Sequence, residues 1–132
     1  MKNYGLIRTA AAVPVVKVAD TGHNAESICT LAEKAYENKA SIVVFPELCT
    51  TGHSCGDLFR QTLLIEGAEK GIGRIVEFSK GRNMAIRAGA PVPYGSHLYN
   101  CRHDKRQALL PLFRYVGCPD CDFCTGPCGS YR

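Results

Sequence analysis

A chain of 132 residues has room for one domain with a single core and is short for two. With 45% hydrophobic and 21% charged residues it has the composition of a globular protein, which excludes a disordered or fibrous one. Its formal charge of +4 comes from 16 basic and 12 acidic side chains, and the excess gathers late, from Lys80 to Arg106 and again at Arg114 and Arg132. No interleaving of basic and aromatic residues there suits a nucleic acid.

At the N-terminus a single lysine, Lys2, precedes GLIRTAAAVPVVKVAD. Arg8, Pro14 and Lys17 interrupt that stretch too often for a secretory signal or a membrane span, so a cytoplasmic protein with no membrane or nucleic-acid partner is expected. Leu6 to Ala12 reads as a buried strand ending at VPVV. Asp20 to Asn24 supplies turn and cap chemistry, with Asn24 placed to accept from the first free amides of a helix. Ala25, Ile28, Cys29, Ala32, Ala35 and Tyr36 follow at helical spacing, opposite mostly charged positions. The β-branched run in SIVVF predicts a central strand buried on both faces.

After the loop CTTGHSCGD a second helical pattern runs from Leu58 to Ser79, weakened by Gly67, Gly71 and Gly73 at up to about 1 kcal/mol each. NMAIRAGAPVP is a further strand, and YGSHLYN enters another through a hairpin. Two successive β-α-β units imply an α/β architecture.

Glu47 stands just past the carboxyl end of the SIVVF strand, where functional groups of α/β sheets concentrate. Pro46 restricts the backbone there. Phe45 and Leu48 on either side are expected to exclude water and favour a general base working near neutral pH. On residue types alone, a surface glutamate that merely follows a strand is the better reading.

VVFPELCTTGHSCGDLF, with GLIRTAAAVPVVKVAD before it and HLYNC after it, resembles the nitrilase-type (carbon-nitrogen hydrolase) glutaminase domain of glutamine-dependent NAD synthetases, over about residues 3 to 101. FPEL is the general nitrilase signature; the extension through CGDLF points to the synthetase branch. The resemblance implies an αββα sandwich, present here incompletely, with an irregular C-terminal tail. It also implies a site of glutamate, lysine and cysteine, in which the cysteine attacks the side-chain amide of the substrate glutamine and Glu47 is the base. His53 departs from the usual tyrosine, which touches the substrate contacts of that loop. In the family, the released ammonia amidates nicotinic acid adenine dinucleotide in a second domain using ATP and magnesium. No cofactor is expected in this chain, and a homo-oligomer is implied as in the family.

The resemblance divides the chain into a partial hydrolase domain, 1–101, and an atypical Cys-rich tail, 102–132. The tail, RHDKRQALLPLFRYVGCPDCDFCTGPCGSYR, lacks the expected strand, and Lys105 is not in the matching lysine motif. One choice of synonymous codons for Cys101 to Ala108, read one nucleotide later, restores a strand and a Gly-Lys turn, so a shifted reading frame fits. The chain is then an N-terminal fragment, inactive alone. The competing reading takes Cys118, Cys121, Cys124 and Cys128 as C-x2-C-x2-C-x3-C, a run that binds iron-sulfur clusters or, less typically, zinc. Cys29, Cys49 and Cys55 are read as non-catalytic, and His23, His97 and His103 as surface or turn residues.

Overall fold

The computed structural model of the protein describes residues 5–94 and 96–105. In chain order the elements are β1 (Thr9–Ala11), α1 (Thr21–Glu37), β2 (Ile42–Val44), a 3-10 turn (Gly56–Arg60), α2 (Thr62–Ser79), β3 (Ala85–Tyr94) and β4 (His97–Lys105). They form one mixed sheet in the order β1-β2-β3-β4. β1 pairs parallel with β2 (Thr9 opposite Ile42) and β2 parallel with β3 (Ile42 opposite Ala85), while β4 folds back antiparallel, from Ile86 opposite Lys105 to Tyr94 opposite His97. The β-α-β order and the hairpin are as predicted, and β4 carries the ladder four residues beyond Cys101.

Successive parallel strands that lie side by side and are joined by crossovers of one hand place both helices on one face of the sheet. The core shows this: Ile28 of α1 and Ile72 and Ile75 of α2 pack with Val43 of β2 and Ile86, Ala88 and Ala90 of β3. The expectation that β2 is buried on both faces therefore fails. Val43 is fully buried, but Val44, on the opposite face, is 38% exposed and has no described element over it. An α/β layer pair with one bare sheet face is an incomplete αββα sandwich, as expected from the sequence. The predicted buried strand at Leu6 to Ala12 shortens for the same reason. β1 is an edge strand, and Leu6 and Ile7 are 80% and 61% exposed.

The helix cap also differs from expectation. Asp20, not Asn24, caps α1, its Oδ1 accepting from the His23 amide at 3.0 Å. At the other end Lys39 takes a left-handed φ of 62°, which lets the Ala40 amide reach back to the Ala35 carbonyl at 3.0 Å and closes the helix before β2.

The long helical pattern at Leu58 to Ser79 is broken at Gln61, whose extended ψ of 125° separates the 3-10 turn from α2. The glycines of α2 have a packing role that offsets their poor propensity. A Cβ at Gly67 would lie 2.6 Å from the Thr21 Oγ1, and one at Gly71 would lie 3.5 Å from the Ala25 Cβ, so both permit close approach of α1. Beyond α2, Arg82 joins the two helices. It donates from Nε to Glu33 of α1 at 3.0 Å and lies 3.9 Å from the Phe78 ring centre.

Candidate functional site

β2 stops after three residues because its backbone leaves the β1 side and crosses over β3. The Phe45 amide still donates to the Arg87 carbonyl at 2.9 Å, and Phe45 is buried in the core. After Pro46 the chain turns. Leu48 takes φ 48°, in the left-handed region, a conformation that costs a leucine about 1–3 kcal/mol and persists only where surrounding contacts impose it. Those contacts are visible: Leu48 is 2% exposed, and its carbonyl accepts from the amides of Thr51 at 3.1 Å and Gly52 at 2.7 Å. The turn brings Glu47 to the surface while the side chains flanking its segment point inward. The expectation that Phe45 and Leu48 exclude water from Glu47 is not met, since both side chains are buried while Glu47 itself is exposed.

What fixes this turn is a glycine that sequence reading passed over. Gly89 lies beneath it in β3, and a Cβ there would fall 2.5 Å from the Leu48 nitrogen and 2.9 Å from the Glu47 Cα. Its carbonyl takes the Thr50 amide at 3.3 Å, the Thr50 hydroxyl at 3.1 Å and the Cys49 thiol at 3.6 Å. An isolated glycine in a strand pattern signals close backbone approach, and AIRAGAPV carried that signal.

A second support comes from Asn24, which is fully buried in the first turn of α1. Its Oδ1 accepts from the Lys17 amide at 2.8 Å, and its Nδ2 donates to the carbonyls of Lys17 at 2.8 Å and Thr50 at 3.1 Å. One side-chain amide thus ties together the segment after β1, the helix and the turn that carries Glu47.

By register, Gly89, Pro91, Leu98 and Asn100 share the sheet face away from the helices. The Nδ2 of Asn100 donates to the Glu47 Oε1. Beside this pair a small recess is lined by Leu48, Phe59, Pro91, Leu98, Tyr99 and Asn100. The site is therefore an exposed carboxylate, held by backbone packing below and an amide donor at its side, next to apolar walls.

The thiols of Cys49 and Cys55 are held by backbone carbonyls. Cys55 is buried, and its thiol donates to the Thr51 carbonyl at 3.2 Å. Burial pushes the Cys49 thiol up to about 11 from 9.0, and burial also raises Cys29. Cys49 is therefore neutral and inert at physiological pH, as its non-catalytic reading requires. Because its folded value exceeds its unfolded one, its stabilising effect is complete below pH 9 and is lost as pH rises towards 11. The expected result is an alkaline fall in stability across that window of roughly 1.4 kcal/mol per pH unit. Urea unfolding at pH 8.5 and 10.5 should show it, with the difference largely removed in Cys49→Ala.

His53 is exposed in the turn region after Gly52. The tail cysteines Cys118, Cys121, Cys124 and Cys128 lie outside the described residues, as does most of the stretch assigned to a shifted frame. Among the described residues no cluster of His, Cys, Asp and Glu could hold a metal ion, and no helix is long and apolar enough to cross a membrane.

Comparison with known proteins agrees with this geometry. The chain is 33% identical over 98 residues to the glutamine-dependent NAD(+) synthetase of Mycobacterium leprae, an alignment covering 74% of this chain and 14% of that protein. It superposes on a glutamine-dependent NAD(+) synthetase from Cytophaga hutchinsonii with a TM-score of 0.66 at 27% identity, covering 76% of this chain and 17% of that one. An amidase from Nesterenkonia sp. shares the fold with a TM-score of 0.62 at 23% identity, over 74% of this chain and 38% of the amidase. The chain thus spans a small fraction of the synthetases it matches. Residues 8–104 match the carbon-nitrogen hydrolase family over most of the chain's length, and the chain belongs to that family.

Proposed function

We propose that residues 8–104 form the base-bearing part of a site that hydrolyses the side-chain amide of glutamine, with Glu47 as the general base. The observation that carries this is the placement of Glu47. It is exposed at the end of β2, on a left-handed turn packed against Gly89, and faces the sheet surface that the helices leave bare. The names of the synthetase relatives support glutamine as the substrate class.

In this reaction Glu47 takes the proton of a thiol, and the thiolate attacks the amide carbon. A nearby cation steadies the oxyanion, Glu47 returns the proton to the nitrogen as ammonia leaves, and water then hydrolyses the thioester, releasing glutamate and regenerating the thiol. Cys49 and Cys55 are buried and bonded to backbone carbonyls, so neither is that thiol. The released ammonia would serve an amidation of nicotinic acid adenine dinucleotide that draws on ATP and magnesium.

Two measurements test the reading. The 132 residues purified alone should release no ammonia from glutamine above background, and release would overturn the reading of residues 8–104 as only the base-bearing part of the site. Residues 8–104 should also replace the matching segment of the Mycobacterium leprae relative with retention of glutaminase activity. In that chimera Glu47→Gln should lower ammonia release by at least about 100-fold, the usual contribution of a positioned base. Retained activity in Glu47→Gln would refute the role of Glu47.

A further inference from the structure

We propose that Asn100 is a positioning residue for Glu47, holding one carboxylate oxygen so that the other is presented in a single direction. The inference rests on the reading of Glu47 as a base, but the contact itself stands apart from it.

The strand geometry explains why Asn100 can reach. The odd-numbered residues of β3 turn their backbone groups towards β2 and the turn that follows it: the Ala85 amide donates to Ser41, the Arg87 carbonyl accepts from Phe45, and the Gly89 carbonyl accepts from Thr50. By that alternation Pro91 and Pro93 point their missing amides in the same direction. β2 pairs only as far as Arg87, so no parallel strand needs a donor there, and the prolines are tolerated. It follows that Pro91 and Asn100 face each other as a pair without ladder hydrogen bonds, the kind in which opposed side chains come closest. Asn100 stands on the same sheet face as Gly89, two positions along, and Glu47 is seated on Gly89.

The chemistry assigns the direction of the bond. An ionised carboxylate can only accept, so the amide nitrogen of Asn100 faces Oε1, as observed. A neutral amide donor orients the acid without adding a charge that would compete for the substrate. It leaves the second oxygen free to receive a proton. A lysine or arginine at position 100 would form an ion pair with the base, and a leucine would leave an exposed glutamate free to sample several rotamers.

The test uses the whole 132-residue chain and nuclear magnetic resonance. In the native protein the Glu47 Hγ protons should be inequivalent, with couplings of one dominant rotamer. An Asn100 side-chain amide proton should exchange about tenfold more slowly than a solvated one, the protection expected of a charge-assisted bond. Asn100→Ala should average the Glu47 couplings while shifting the urea midpoint little, and Asn100→His, which restores an N–H donor, should recover part of the ordering. Read from the other side, Glu47→Ala, a change at an exposed position, should abolish the slow exchange at Asn100. Unchanged Glu47 couplings in Asn100→Ala, or unchanged Asn100 exchange in Glu47→Ala, would overturn the proposal. Absence of these signals from the native protein, or their persistence in the two variants, refutes the positioning role alone, whereas an active Glu47→Gln chimera refutes the base with the contact intact.

Discussion

Gly89→Ala should lower the stability of the chain by on the order of 3 kcal/mol, measured by urea unfolding, and should displace the turn that carries Glu47. The cause is space. An added Cβ would lie 2.5 Å from the Leu48 nitrogen and 2.9 and 3.0 Å from Glu47 backbone carbons. All three are main-chain atoms of a turn already held by bonds from Thr51 and Gly52 to Leu48, so no flexible side chain can move aside. Overpacking of this kind costs about 1–3 kcal/mol when the surroundings yield in part, and here they are tied on both sides of the contact. Gly73→Ala is the control, because a Cβ there meets nothing within 4 Å and the position is inside α2. It should raise stability by about 0.5–1 kcal/mol through helix propensity alone. A loss in Gly89→Ala no greater than 0.5 kcal/mol, with the Glu47 and Leu48 amide resonances unmoved, would show that β3 does not support the turn.

The contrast between these glycines marks what could be read from residue order. Periodicity located α1, because Ala25, Ile28, Ala32 and Ala35 all reach the core, and the β-branched run at Ile42 to Val44 located β2. Such signals are local and repeat along the chain. The residue that delivers the acid was legible too, since FPEL placed Glu47 just after a strand, where the structure has it.

What stayed hidden depends on contacts far apart in sequence. The setting of Gly89 in a strand pattern signalled a close approach, but that Leu48 approaches it, and that Thr21 approaches Gly67, follows only from the fold. Val44 has the residue type of a core strand, but which face of β2 receives helices follows from crossover geometry and not from its composition. Asn100 belonged to a stretch, HLYNC, that looked informative only as a family mark; its partner is 53 residues away.

Asn24 was assigned the right chemistry and the wrong place, and that error leads to the second large effect. An asparagine before an apolar helical face is ordinarily a cap, but Asp20 already fills that role and puts Asn24 one turn inside, fully buried. There its amide makes three bonds, one accepted and two donated. Asn24→Asp keeps the shape and reverses the donor. A carboxylate oxygen would then face the carbonyls of Lys17 and Thr50, leaving a buried charge whose one remaining donor is the Lys17 amide, at a cost of about 4 kcal/mol at pH 7. Burial and the two carbonyl dipoles both favour the neutral acid, which raises its folded value above the unfolded one. Its stabilising effect is therefore greatest below about pH 4 and is lost as pH rises through the folded value. Urea unfolding should show the variant recovering much of its loss between pH 7.5 and pH 4.5 relative to the native chain. Asn24→Ala carries no titrating group and should pay about 3 kcal/mol at both pH values, for the unpartnered Thr50 and Lys17 groups. Equal losses for the two variants at both pH values would mean that water reaches the site and that Asn24 does not hold the Glu47 turn from below.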